Sequence, residues 1–255
     1  SRSVLITTPS LAVTFARSEG EFNLTNISEK PVETRTITDT NTITIAKDGM
    51  VDAFAQAQAT FQIPPQVSNL SLSEALGKGR DYLGNAQSQA VVIANFAVDA
   101  NNSFSFDFTS NLNLQISIDN PPAEKAEATG EEYFTLIDTD KNSILDFFNI
   151  RGSLNTLADN DLIALQKSNN VTLNKLLSTS NFGDLQQQAT ANVQGSLQRF
   201  FANKTNIALV EVKRNQATVQ VPEPSTNLAL LWCCSVISFA TKAKRKISSL
   251  TSRIS

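Results

Sequence analysis

The sequence predicts a mainly β, antiparallel body of sandwich or jelly-roll type, followed by a single hydrophobic helix near the C-terminus. Three observations predict it. Apolar residues alternate with polar ones at period two in several segments, as they do along a half-buried strand. Turn residues separate those segments without any βαβ rhythm, which argues for antiparallel pairing. One long uncharged apolar run begins at Ser225. With 255 residues, 41% of them hydrophobic, the chain is long enough to bury a substantial core.

The elements follow in chain order. Val13 and Phe15 face Phe22 and Leu24 across Ser18-Glu19-Gly20, which predicts a hairpin. Ile43 and Ile45 form a short stripe in a Thr-rich segment. A helix is compatible with Ser71–Leu83, where Ser71 or Ser73 offers a cap. Gly77-Lys78-Gly79-Arg80 lacks the spacing of a phosphate loop and reads as a turn. Ala90–Val98 is apolar on both faces and reads as a central strand. Phe104, Phe106 and Phe108 alternate, and Leu112, Leu114, Ile116 and Ile118 continue the parity, with a turn expected at Thr109-Ser110-Asn111. Tyr133–Ile137 and Ile144–Ile150 read as strands. Leu185–Leu197 fits either period, and its Gln, Thr and Asn content with Gly195 favours strand. Ile207–Val212 and Ala217–Val221 predict a second hairpin across Lys213–Gln216.

Absences restrict the chemistry. There is no histidine, which excludes Ser–His–Asp and Cys–His catalysis and every His-ligated metal. The two cysteines, Cys233 and Cys234, are adjacent, so residues 1–232 hold no thiol and no disulfide. Five of the 21 basic residues and none of the 24 acidic ones follow Glu223, so residues 1–224 carry a net charge of −8. An acidic body repels a phosphate backbone, and no nucleic-acid partner is expected.

The end of the chain has its own logic. Ser225–Thr241 is 17 residues without charge, centred on LALLWCCSVISFA. As a helix it spans about 25 Å, the short end of a membrane crossing. Leu228, Leu230, Leu231, Trp232, Val236, Ile237 and Phe239 would face lipid. Lys242, Lys244, Arg245 and Lys246 follow immediately and predict a cytoplasmic C-terminus. Pro222-Glu223-Pro224 precedes the run, and its two prolines hold an extended, donor-poor strip. This three-part arrangement over residues 222–246 resembles the PEP-CTERM sorting signal of exported bacterial proteins. The resemblance implies that Pro222, Glu223 and Pro224 are recognised by an exosortase, a membrane protease. It also implies transient anchoring by the helix and delivery to the cell surface or beyond. Residues 4–16, VLITTPSLAVTFA, look like the end of a secretory signal, with Ser10-Leu11-Ala12 as cleavage site. The expected organisation is therefore a signal remnant at 1–12, a β body at 13–221, the sorting tail at 222–246 and a disordered end at 247–255. The stretches Phe15–Gly20 and Glu211–Ala217 resemble cyanobacterial-type PEP-CTERM proteins, a resemblance that brings no catalytic residue with it.

Candidate chemistry in the body is sparse. Asp138, Asp140, Asn142 and Asp146 place oxygen donors at positions 1, 3, 5 and 9 of a loop, which imitates a Ca2+ loop. Ser143 stands where the sharp turn wants Gly, and Asn149 where a bidentate carboxylate belongs, so a plain polar turn explains the residues equally. No other cofactor is expected. Glu131-Glu132 and Asp159-Asn160-Asp161 offer paired carboxylates of the kind used in glycoside chemistry. Two readings result. The first is an exported, surface-sorted, non-enzymatic protein with a structural or binding role in the cell envelope or exopolysaccharide matrix. The alternative is an extracellular carbohydrate-active hydrolase or lyase, which requires a cleft with two convergent acids, one holding its proton unusually well.

Overall fold

A computed structural model describes residues 13–62, 66–121, 123–156 and 162–222. The chain divides into two compact units, Ser1–Val221 and Pro222–Ser255. The apolar run, its basic cluster and the sorting tripeptide beyond Pro222 lie outside the described residues, as do residues 1–12. Among the described residues no helix is long and apolar enough to cross a membrane.

The body is mainly β and antiparallel throughout. Its organising element is β3 (Gln66–Val98), a 33-residue strand with two arms. The first arm pairs with β1 (Thr14–Thr25), from Gly77 opposite Thr14 to Val67 opposite Leu24. The second arm pairs on the same edge with β10 (Thr205–Val221), from Tyr82 opposite Val221 to Val98 opposite Thr205. The other edge of both arms is taken by β2 (Glu33–Gln62). From β1 the sheet continues through β4 (Asn102–Ser117) and β9 (Gln186–Phe201) to β8 (Val171–Phe182). From β10 it continues through β5 (Lys125–Asp138) and β6 (Ser143–Asn155) to β7 (Leu162–Lys167).

The two arms meet at a corner. On the first arm the inward residues are odd-numbered, from Val67 to Gly77; on the second they are even-numbered, from Tyr82 to Val98. Gly79, at φ 95°, and Asp81, at φ 52°, take the left-handed conformations that switch the parity. The Tyr82 ring lies where a side chain on Gly77 would stand, 2.1 Å from a β-carbon built there. Folding β3 at this corner turns the arms' inner faces towards each other, and Ser88 Oγ sits 2.6 Å from Ser71 Oγ and 2.9 Å from Ser73 Oγ.

Away from the corner the halves meet through phenylalanines. Phe22 and Phe108 from one half pack on Phe134 and Phe148 from the other, with ring centroids 4.8–6.2 Å apart. At the far side Arg199 of β9 donates to Leu145 O at 3.0 Å and Asp146 Oδ2 at 2.9 Å on β6, so the sheet nearly closes on itself.

Several local expectations are corrected. Ser18-Glu19-Gly20 lies inside β1, Thr109-Ser110-Asn111 inside β4 and Lys213–Gln216 inside β10, and none of the three is a turn. Ser71–Leu83 is strand, not helix. In each case polar residues that break an apolar stripe still point inward, because the interior at that level is itself polar. The strand readings of Ala90–Val98, Tyr133–Ile137, Ile144–Ile150 and the ambiguous 185–197 stretch agree with β3, β5, β6 and β9.

Candidate functional site

The inward polar residues of five strands gather at one level of the body. β10 supplies Glu211, Lys213 and Asn215, β5 supplies Glu132, β3 supplies Asn69, Ser71 and Ser73, β4 supplies Ser110 and β1 supplies Ser18. Registration puts them there. Lys213 stands opposite Glu132, Asn215 opposite Gly130, and Phe22 lies between Asn69 and Ser110 on its two neighbours. Glu132, Glu211 and Lys213 are all 0% exposed.

Hydrogen bonds join the level across the interior. Ser110 Oγ donates to Glu132 Oε2 at 2.5 Å. The Asn69 amide donates to Glu211 Oε2, and the Lys213 ammonium donates to the Asn69 carbonyl oxygen. Lys213 Nζ is also 4.0 Å from Glu211 Oε1 and 5.5 Å from the centre of the Phe22 ring. Asn215 Nδ2 donates to Ser18 Oγ at 2.5 Å, and Ser18 Oγ donates to Thr129 O at 2.7 Å. Four acceptors are left over: Glu132 Oε1, Glu211 Oε1, Asn69 Oδ1 and Asn215 Oδ1 accept no hydrogen bond from the described residues.

Burial controls the charges. Loss of solvent pushes the Glu132 carboxyl up to about 8, against the pull of Lys213 and the Ser110 hydrogen bond, with Glu211 adding to the rise. Loss of solvent pushes Glu211 up to about 7, again opposed by Lys213 and by Asn69. The same burial lowers Lys213, and the two glutamates hold it back up. At neutral pH the fold therefore keeps a proton on Glu132, and Glu211, close to its midpoint, faces Lys213 at 4.0 Å. Chemically this is an acid–base cluster closed off from solvent: two carboxyl groups that hold their protons well above the ordinary range, beside the amine of Lys213.

Of the residues singled out in the sequence, Glu132 belongs to this cluster and the others with described positions lie elsewhere. Glu131 and Glu132 are strand neighbours and point to opposite faces. Glu131 accepts from Asn149 Nδ2 at 2.9 Å and lies 3.9 Å from Arg214, while Glu132 points inward. Asp159 and Asp161 are outside the described residues. Asp138 and Asp140 share the β5–β6 turn with Asn142, which has φ 50°. Asp138 Oδ1 accepts from the backbone N–H groups of Asp140 and Lys141 at 3.1 and 3.0 Å, and Oδ2 accepts from Lys141 Nζ at 3.1 Å. Burial pushes the Asp138 carboxyl up, but those bonds outweigh it and hold the group below its ordinary range. Asp140 accepts from Asn206. Asp146 does not join them: its carboxylate takes Arg199, Ser168 Oγ at 2.7 Å and Asn170 Nδ2 at 3.3 Å. Among the described residues no three or more Asp, Glu, Cys or His converge to hold a metal ion. Pro222 follows the last paired residue of β10 and is exposed.

Fold and site together define a class: an antiparallel all-β body whose ionisable core is enclosed by the sheet. No family model, curated protein or solved structure matches this chain.

Proposed function

We propose that the chain is an exported, surface-sorted, non-enzymatic protein, processed through a PEP-CTERM signal, whose body has a structural or binding role in the cell envelope or exopolysaccharide matrix. In this reading the two halves of the sheet are the layers of a β-sandwich of jelly-roll type, and the apolar run after residue 225 is a membrane helix held until an exosortase cuts at Pro222-Glu223-Pro224. The observation that supports a non-enzymatic body is the enclosure of Glu132 and Glu211. These are the acids that hold protons most strongly, and neither has any surface for a substrate to reach. The exposed position of Pro222, directly after β10, supports an accessible cutting site. Export is consistent with a body that depends on its core, not on disulfides.

The strong hold of the same two groups on their protons favours the alternative, a carboxylate-dependent hydrolase or lyase, if the body opens. One experiment separates the readings. The purified chain is incubated with exopolysaccharide of the producing cell, and both cosedimentation and new reducing ends are measured. The proposed function predicts cosedimentation without new reducing ends. Reducing ends that appear with the native chain and vanish with Glu132→Gln or Glu211→Gln would establish the alternative.

A further inference from the structure

Within the enclosed cluster one carboxyl lies between an amine and an amide. The side-chain amide nitrogen of Asn69, Nδ2, donates to Glu211 Oε2, and Lys213 Nζ stands 4.0 Å from Glu211 Oε1. Nζ also donates to the backbone carbonyl of Asn69 itself, so the amine already touches the residue that carries the amide. Asn69, Glu211 and Lys213 are all 0% exposed. The Phe22 ring, centred 5.5 Å from Nζ, covers the amine, and Phe22 is the residue opposite Asn69 in the pairing of β1 with β3.

We propose that Lys213 Nζ and Asn69 Cγ join in an isopeptide bond, formed once within the folded chain, with Glu211 as proton shuttle and ammonia as leaving group. Nζ attacks Cγ with the lone pair of its neutral amine. The N–C bond forms, the carbonyl pair moves to Oδ1, and it returns as the Cγ–Nδ2 bond breaks. Glu211, as carboxylate, takes a proton from Nζ and gives it to Nδ2, which leaves as ammonia, and the carboxylate is restored. An amine and a primary amide become a secondary amide and ammonia, with no oxidant or other reactant. The structure shows the two groups before they join.

The surroundings supply what this step needs. The nucleophile must be uncharged, and burial lowers Lys213 towards the free amine. The charge on Glu132 would oppose that, but Glu132 keeps its proton at neutral pH. A shuttle must hold and release a proton near the working pH, and Glu211 is pushed up to about 7. Glu211 Oε1, which faces the amine, accepts no hydrogen bond from the described residues, so it is available for the proton. Packing fixes amine, carboxyl and amide in one contact, which turns a sluggish bimolecular reaction into an intramolecular one. The bond would tie β10 to the first arm of β3, positions 144 residues apart, across the interior. It does for a body without cysteine what a disulfide does elsewhere. It consumes no external substrate and is independent of how the chain is sorted.

The test is mass spectrometry of the full 255-residue chain, kept folded at pH 7 in a mild detergent. The expected mass is one ammonia below that of the sequence. Trypsin then leaves Lys213 uncut, and peptide 48–78 is recovered joined to peptide 205–214. Lys213→Arg and Asn69→Ala are each expected at full mass with the peptides separate. Glu211→Gln keeps an acceptor for the Asn69 amide but cannot carry the proton, so at unchanged circular dichroism it slows joining about a hundredfold or more. The joined peptide of the native chain decides the matter should the variants misfold. Three results overturn the proposal: a native chain at full mass, a native chain that has lost ammonia while trypsin still cuts at Lys213, as a succinimide at Asn69 would give, or joining at the native rate in folded Glu211→Gln.

Discussion

Lys213 is the residue on which the interior depends. Among the described residues it is the cation that faces two buried carboxyls, and its side-chain nitrogen also donates to the Asn69 backbone carbonyl. Removing one member of a buried charge pair leaves the other without compensation, which costs about 3–5 kcal/mol. Lys213→Met is therefore expected to lower the stability by about that amount, measured by urea unfolding at pH 7. Glu132 behaves oppositely. Its folded value of about 8 lies above its unfolded one, so the folded state binds more protons between roughly pH 4.5 and 8. Stability must fall as pH rises through that window, by at most about 1.4 kcal/mol per pH unit from this group, and level off above it. Glu211 adds a decline of the same sign that ends near 7. Glu132→Gln keeps an acceptor for Ser110 and carries no charge, so thermal melts from pH 5 to 9 should show a flatter profile than the native chain. A steeper or unchanged profile would place the titrating group elsewhere.

At the scale of the element, the corner in β3 decides the architecture. It lets one strand serve both halves of the sheet, and it requires Gly77 to leave room for the Tyr82 ring, whose hydroxyl donates to Thr14 Oγ1 at 2.6 Å. Gly77→Ala puts a methyl into that ring, and overpacking of this kind costs about 1–3 kcal/mol. The expected signs are a lower melting temperature and a changed near-ultraviolet tyrosine signal. The elements also show which parts of the fold were legible. The Phe104–Phe106–Phe108 alternation and the Ala90–Val98 run identify their strands because their inward residues are apolar. Strand length was not legible in β1, β4 and β10. Ser18, Ser110 and Lys213 have turn-like or charged chemistry, and a reader who expects an apolar interior ends the strand there. The signal that locates the site was present all the same: several interruptions of apolar stripes on different strands, which registration brings to one level. Long-range pairing, such as β10 with β3, supplies that registration, and no local pattern contains it.

At the scale of the molecule, the acidic body and the basic C-terminal cluster have separate tasks in the proposed account. The body presents an enclosed core and a long Thr-, Ala- and Gln-rich edge. In that account the tail carries the address. Its three parts are legible in sequence because a tripeptide, an apolar run and a basic cluster need no tertiary context to be read. The measurement that tests the central claim most directly is the intact mass of the protein recovered from a host that carries an exosortase. Sorting and processing predict a chain that ends within residues 222–226. A mature protein that still contains Leu228–Lys246 in that host would contradict the account, and the same segment would then be a permanent anchor.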